Sequence, residues 1–315
     1  MSDQSAPSTQ WVSAHLYFHG DLDDVISHVV EPAVCSISER SADGQYFFLR
    51  YWEGGPHVRL RVRASSIHDT DVVQNGILLH AENYFAQNPS DARVDADAYH
   101  ATRRWAMQIE PWIDPSAELC PNNSVRFFPY RREHHKYGYG PFIEAVERHF
   151  KESSDIARDA ISAQMPTAER DLLALCVLVA GWSIWCADND ELLSWIRTGG
   201  PRFDPAISAE EDGYREWPAA RQDALRALVR HTVDTARSVS EGMPSCPTLR
   251  RRWIQSVTTL RAQLGSQRAP AGSGMFNVID HCGHLLCNRL GLSLSREASV
   301  RSLACRAVLD AVDRR

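Results

Sequence analysis

Two hydrophobic periods divide the chain. Up to about residue 141 short runs are rich in β-branched and aromatic residues or alternate apolar with polar, whereas beyond Pro141 nearly every segment repeats at 3.6 residues. Residues 11–18 (WVSAHLYF) read as a strand. Leu22, Val25, Ile26, Val29 and Val30 then share one helical face, with Asp21 placed to cap that helix. Residues 45–52 and 57–64 read as two strands joined by Glu53-Gly54-Gly55-Pro56, a hairpin signal. A helix is expected over about 69–87 and a further strand over about 103–110 (RRWAMQIE). Residues 111–141, dense in Pro, Asn, Tyr and Gly, read as irregular with a short extended piece at 125–130. Helices are expected near 142–151, 154–164, 168–187, 190–197, 214–241, 247–264, 275–290 and 296–313, with breaks at Gly199-Gly200-Pro201 and at 269–274. The polar residues 1–10 read as disordered. Strands first and helices later indicate an α+β fold. A mostly antiparallel N-terminal sheet, packed with a largely helical C-terminal half, is expected to form a single domain over 11–315, sheet-rich over 11–141 and helical over 142–315.

Composition narrows the class without naming a function. With 315 residues, 43% apolar and 23% charged, the chain is of ordinary globular composition. The net charge of −6 argues against a nucleic-acid partner, which calls for a surplus of cations facing phosphate. None of the eight cysteines forms a C-x-x-C pair, and the N-terminus lacks the apolar core of a secretory signal. The longest apolar run, residues 172–187, has 16 positions including Ser183. That is short of the ~20 a spanning helix needs, so it reads as a buried core helix and no membrane is expected. The expectation is a cytoplasmic protein with reduced thiols.

Three segments carry candidate chemistry. In His57-Val58-Arg59-Leu60-Arg61-Val62-Arg63 the alternation is complete, so His57, Arg59, Arg61 and Arg63 share one strand face. Such a face is either the solvated side of an edge strand or an anion site, since guanidinium forks grip carboxylates in pairs. Cations stacked ~7 Å apart repel unless acids or an anionic ligand compensate. Residues 130–140 (YRREHHKYGYG) combine basic side chains, tyrosines and glycines, either as a surface turn or as a ligand-contacting loop. In residues 281–290 (HCGHLLCNRL), His281, His284 and Asn288 fall on one helix face. Cys282 and Cys287 read as small core residues rather than zinc ligands, no second ligand pair standing elsewhere. His284 is then either a buried histidine held by Asn288 or a proton-transfer group. With neither G-x-G-x-x-G nor G-x-x-x-x-G-K-[ST] present, neither nucleotide nor metal is expected as a cofactor.

Taken together, these segments resemble a known family. Residues 47–61 (FFLRYWEGGPHVRLR) are similar to the opening signature of the small domain shared by lantibiotic dehydratases and thiopeptide-type bacteriocin biosynthesis proteins. Tyr130-Arg131-Arg132-Glu133 with Tyr137-Gly138 resembles its second motif, although Lys136 stands where an arginine is expected, and residues 284–290 resemble its third. The order agrees, and the resemblance covers about residues 11–312. It implies a domain that eliminates glutamate from glutamylated Ser or Thr of a ribosomally made precursor peptide, giving dehydroalanine or dehydrobutyrine. In thiopeptide pathways glutamylation and elimination often reside on separate proteins, and a chain of this length fits that split form. A sister branch instead joins two dehydroalanines in a formal [4+2] cycloaddition that forms a pyridine. A non-catalytic peptide-docking subunit is the third alternative. By resemblance Arg59, Arg61, Arg132 and His284 are the catalytic candidates, and His57, Tyr130, Tyr137, Asn288 and Arg289 contact substrate. Tyr130, Tyr137 and His134 compete for the role of base. His57, Arg59 and Arg61 are expected to share a pocket with Arg132 and His284, with Asn288 orienting the imidazole. The partners implied are the precursor peptide, with its leader and glutamylated core, and a separate glutamylation protein; self-association is left open.

Overall fold

The computed structural model describes residues 10–38, 44–109, 118–198, 200, 217–238, 248–265 and 275–312. The expected disorder of residues 1–9 and the break at 269–274 lie outside them, as do Gly199, Pro201 and the start of the helix expected at 214. Backbone contacts divide the chain after Arg131 into Met1–Arg131 and Arg132–Arg315.

The first unit is a four-stranded antiparallel sheet ordered β2-β3-β1-β4, built from β1 (Gln10–Tyr17), β2 (Tyr46–Tyr51), β3 (His57–Ala64) and β4 (Ser124–Phe127). Two interleaved β-α-β halves give the ferredoxin-like arrangement. One face is apolar: Val12, Ala14, Leu16, Phe48, Val58, Leu60 and Val62 are all buried. That face packs under helices of the same unit. Asp21 caps α1 (Leu22–Val25), as expected, by accepting from the Asp23 N–H. A π-helical stretch (Ile26–Val30) leads on to α2 (Glu31–Ser38), and its wider turn keeps Val25, Ile26, Val29, Val30 and Ala33 on the buried side. The second covering helix is α3 (Ile67–Gln87), capped by Ser66. The expected β2–β3 hairpin is present. Its turn requires glycine, because Gly54 and Gly55 have φ of 80° and 106°, and Gly55 N–H bonds Trp52 O at 3.0 Å.

The strand expected over 103–110 is instead the end of α4 (Ala96–Ile109), residue 110 lying outside the described residues. Tyr99 and Arg103, one turn apart, are both buried, so the 3.6-residue period set from Ala96 overrides the short β-like run. The extended piece expected at 125–130 is shorter and starts one residue earlier, as β4 (Ser124–Phe127). A one-turn α5 (His134–Tyr137) opens the second unit.

That unit is helical: α6 (Pro141–Ser162), α7 (Thr167–Trp185), α8 (Asn189–Arg197), α9 (Ala219–Ser238), α10 (Leu249–Gly265), α11 (Met275–Arg289) and α12 (Leu294–Val312). The break expected between 151 and 154 is absent. Ser153 and Ser154 are buried inside α6, and Ser154 Oγ donates to Phe150 O at 2.8 Å, which satisfies a hydroxyl that would otherwise disfavour the helix. The 16-residue apolar run forms α7, buried on all sides from Leu173 to Ile184 and packed against α9, α10, α11 and α12. Trp253 Nε1 donates to Val177 O at 3.0 Å, tying α10 to the middle of α7. Among the described residues no single helix is long and apolar enough to cross a membrane.

Contact between α7 and α11 is close at Gly283, where an added Cβ would stand 2.9 Å from Leu178 Cδ2. Gly283→Leu should therefore destabilise the chain by roughly 1–3 kcal/mol despite a gain in helix propensity. Urea unfolding measures this, and an unchanged midpoint would contradict the packing.

Candidate functional site

Each unit holds one cluster of chemically capable side chains. In the first, alternation along β3 puts Val58, Leu60 and Val62 against the helices and His57, Arg59, Arg61 and Arg63 on the opposite face. Cross-strand register adds neighbours on that same face. His57 stands between Tyr17 and Tyr51, Arg59 between His15 and Leu49, and Arg61 between Ser13 and Phe47; His15 in turn neighbours Arg126 of β4. Arg59 lies 3.4 Å over the Tyr51 ring, and Glu53 accepts from it at 3.3 Å. Arg61 sits 4.7 Å from the Tyr130 ring and 5.3 Å from Phe47, and both rings pack edge-on against Trp11. Flat cations held on aromatic faces stay charged and oriented while losing little rotamer freedom.

His57 is fully buried and its tautomer follows from its partners. Gly55 O, which can only accept, lies 2.8 Å from Nδ1, so Nδ1 carries the proton; Nε2 then accepts from Arg59 Nε at 3.2 Å. Burial, reinforced by the charge of Arg59, lowers the His57 pKa to about 3. His15, stacked 4.9 Å away, is lowered to about 2 for the same two reasons. Both rings are neutral at pH 7. His57 thus anchors Arg59 through a lone pair.

In the second unit, Arg132 makes a two-pronged bond to Glu147, 2.9 Å from Nε and 2.8 Å from the second nitrogen. Glu147 is 3% exposed, so the fork of Arg132 is committed to a buried carboxylate. His284 on α11 donates from Nδ1 to Glu297 Oε2 at 2.7 Å. The other Glu297 oxygen accepts from Arg301 Nε at 2.8 Å, and Arg301 reaches Asp280 at 2.7 Å. Asp280 also accepts from Trp182 Nε1 at 2.9 Å. Burial opposes the Arg301 charge, yet Asp280 and Glu297 hold its pKa above the ordinary guanidinium value. Glu297 is 1% exposed and His284 28%, so a buried anion fixes the Nδ1–H tautomer and leaves Nε2 as the reactive nitrogen on a reachable ring.

His281 lies 5.5 Å from His284 and 5.9 Å from Tyr137 by ring centres. Burial first, then the neighbouring His284, lowers its pKa to about 3. His134 stacks on Tyr139 at 4.4 Å, with Nδ1 2.9 Å from Gly138 O. Arg289 is fully buried, donating to Ser153 Oγ at 3.1 Å with its guanidinium 5.2 Å from the Phe150 ring. Cys282 and Cys287 are fully buried, and burial pushes the Cys282 thiol up to about 12.

Of the expected site residues, His57, Arg59, Arg61 and Tyr130 come together in the first unit. Arg132, Tyr137, His284, Asn288 and Arg289 belong to the second. Glu297, Arg301, Glu147 and His15 were missed. A signal for the first two exists, since Glu297 and Arg301 are an acid–base pair at i,i+4 on the buried Ala298-Val300-Ala304-Val308 side of α12. A charged pair in an apolar stripe is costly unless something uses it.

Residues 11–308 match the family model described as Lantibiotic biosynthesis dehydratase C-term. No curated protein matches the chain. Among solved structures the fold is similar to "Pyridine synthase, TbtD, from thiomuracin biosynthesis", with a TM-score of 0.76 and 19% identity over 96% of this chain and 99% of that one. It is also similar to the tRNA dependent lantibiotic dehydratase MibB from Microbispora sp. 107891, with a TM-score of 0.61 and 20% identity over all of this chain but 29% of MibB. TsrL follows with a TM-score of 0.60 and 14% identity over 97% and 96% of the two chains. At these identities the likeness is one of fold.

Two outcomes are expected of this geometry. Replacing Glu297 with Gln removes the charge that Arg301 and His284 share. Breaking one side of a buried pair costs about 3–5 kcal/mol, which calorimetry would register; a loss below ~1 kcal/mol would contradict the network. The second outcome concerns pH. Unfolded histidine titrates near 6.5, while folded His57 titrates near 3. Between those values the unfolded chain binds a proton that the folded one refuses, so stability falls as pH drops from about 6.5 toward 3, by up to ~1.4 kcal/mol per pH unit for each such histidine. His57→Gln should flatten that slope by up to one proton in urea titrations between pH 7 and 4; an unaltered slope would show that His57 titrates normally.

Proposed function

The chain belongs to the lantibiotic biosynthesis dehydratase C-terminal family, and from that membership we propose that it eliminates glutamate from glutamylated Ser or Thr of a ribosomally made precursor peptide. The family acts in the biosynthesis of such modified peptides, and the choice of reaction rests on one observation: Arg59 and Arg61 held on aromatic rings along one face of β3. In the elimination a base removes the Cα proton, that electron pair becomes the Cα=Cβ bond, and the Cβ–O bond breaks. Glutamate departs as a carboxylate that needs no proton at pH 7, while its second carboxylate remains to be gripped. Arg59 and Arg61 supply preorganised charge for that grip. His284 moves the proton through Nε2, its other nitrogen being committed to Glu297. Arg132, already paired with Glu147, shapes the 130–137 loop, and buried Arg289 supports α11 from inside. Tyr130 and Asn288 contact the peptide, whereas Tyr137, expected to do so, is buried against Phe150 and His281 and supports the site from inside. A separate glutamylation protein supplies the ester, and the action takes place in the cytoplasm, where the free thiols of Cys282 and Cys287 stay reduced.

A second reading is pyridine formation by formal [4+2] cycloaddition between two dehydroalanines. It is favoured by the coverage of 99% of TbtD and by the Arg132 fork being already filled. Incubation with a glutamylated precursor peptide and, separately, with a dehydrated one distinguishes them by mass. Elimination requires loss of glutamic acid from the first and no change in the second. An unchanged first peptide together with a cyclised second would replace the leading reading.

Two substitutions test the residues. Arg61→Lys keeps the charge and loses the fork, so kcat/KM should fall roughly 10–100-fold, the worth of a charged hydrogen bond. A native rate would mean that only a general positive field is needed. His284→Ala should slow elimination by about 10²–10⁴-fold with peptide binding retained. Lost binding with normal turnover at saturating peptide would move His284 to the docking surface.

A further inference from the structure

Among the described residues the sheet ends in a strand whose outer edge carries no further strand. β4 is last in the order β2-β3-β1-β4, so among the described residues its far side has no strand partner. Register decides which groups lie there. Phe128 N–H bonds Ser13 O at 3.0 Å, and His15↔Arg126 and Tyr17↔Ser124 follow at the same two-residue interval. Bonded and non-bonded pairs alternate in an antiparallel ladder. Arg126 and Ser124 therefore turn their backbone groups to β1, while Val125 and Phe127 turn theirs outward. Their N–H and C=O groups make no backbone bond beyond the sheet among the described residues.

Side chains beside this edge are arranged by face. Val125 and Phe127 neighbour Leu16 and Ala14, on the side covered by α3. Between α3 and β4 lies a cavity of about 440 Å³, lined by apolar Leu78, Phe85, Ala86 and Val125 together with Glu82, Asn123 and Ser124. On the opposite face Arg126 is exposed and makes no ion pair among the described residues. The start of β4 is pinned: Asn122 and Asn123 each donate to Ser90 O, at 2.7 and 3.0 Å, and Ser90 N–H bonds Asn123 Oδ1 at 2.9 Å. A pinned edge needs little ordering when a partner arrives.

We propose that this edge of β4 binds the precursor peptide as an added strand. It selects an extended segment in which an apolar residue is followed by an acidic one. Main-chain bonds to Val125 and Phe127 give affinity, the cavity takes the apolar side chain opposite Val125, and Arg126 meets the acidic neighbour. The proposal rests on the peptide substrate of the preceding reading and adds where that peptide docks.

The test uses the full chain and needs no turnover. A short fluorescein-labelled peptide alternating leucine and glutamate serves as probe, beside a version with lysine for glutamate and one with proline at alternate positions. Polarisation should show binding of the first and none of the proline version, which lacks the edge donors. Arg126→Glu should weaken the glutamate peptide roughly 3–10-fold and favour the lysine peptide. Ala86→Trp, which fills the cavity from an exposed helix position, should weaken both. In the unaltered protein the amides of Val125 and Phe127 should exchange at least about tenfold more slowly when the probe is bound. Absent binding, affinities indifferent to both substitutions, or unchanged exchange at Val125 and Phe127 would overturn the proposal. Failure to eliminate glutamate while these binding results hold would overturn the elimination reading alone.

Discussion

Alternation along β3 is the constraint from which the rest of the first unit follows. Because Val58, Leu60 and Val62 are committed to the helix-covered face, His57, Arg59 and Arg61 cannot avoid the other one. A register slip of one residue would bury three guanidinium groups among Phe48, Leu16 and Ile77, at a desolvation cost no packing gain could offset. The hydrophobic core thus determines where the cations stand, and the aromatic set of Tyr51, Phe47, Tyr130 and Trp11 determines how they are aimed. Neutral His57 completes the arrangement by accepting from Arg59 without adding charge.

The second unit meets the opposite difficulty, that of keeping charge inside an apolar bundle. α7 is buried all round, and α12, packed on it, carries Glu297 and Arg301 into the interior, with half-buried Asp280 of α11 beside them. Each carboxylate oxygen of Glu297 has a partner, one on His284 and one on Arg301, so the buried charge is satisfied and the imidazole is fixed by the same bonds. A single network thereby serves both stability and the orientation of a partly exposed histidine. The ordinary expectation for such a network is modest net stability and high local order.

Much of this was legible in the sequence because it is local. The β2–β3 hairpin, its Gly54-Gly55 turn, the face shared by His57, Arg59 and Arg61, and the buried run of α7 all follow from periods of two or 3.6 residues. Where local signals compete they mislead: the β-like residues from Arg103 belong to α4, and Ser153-Ser154 continue α6 because Ser154 bonds back to Phe150 O and Ser153 accepts from Arg289. Partners set by tertiary contact were not legible. Asn288 is the natural neighbour of His284 on a helical wheel, yet the carboxylate bonded to the ring comes from α12, 13 positions away. Arg132 likewise reads as a free cation until α6 brings Glu147 to it.

The proposed elimination depends on Arg59 and Arg61 gripping a glutamate carboxylate. The most direct measurement is titration of the ¹⁵N-arginine-labelled chain with free glutamate, following the Nε–H resonances by NMR. Such a grip requires saturable shifts of the Arg59 and Arg61 resonances, reproduced by glutarate and absent with glutaramide. Resonances of Arg59 and Arg61 that stay in place at glutamate concentrations inhibiting the reaction would contradict it.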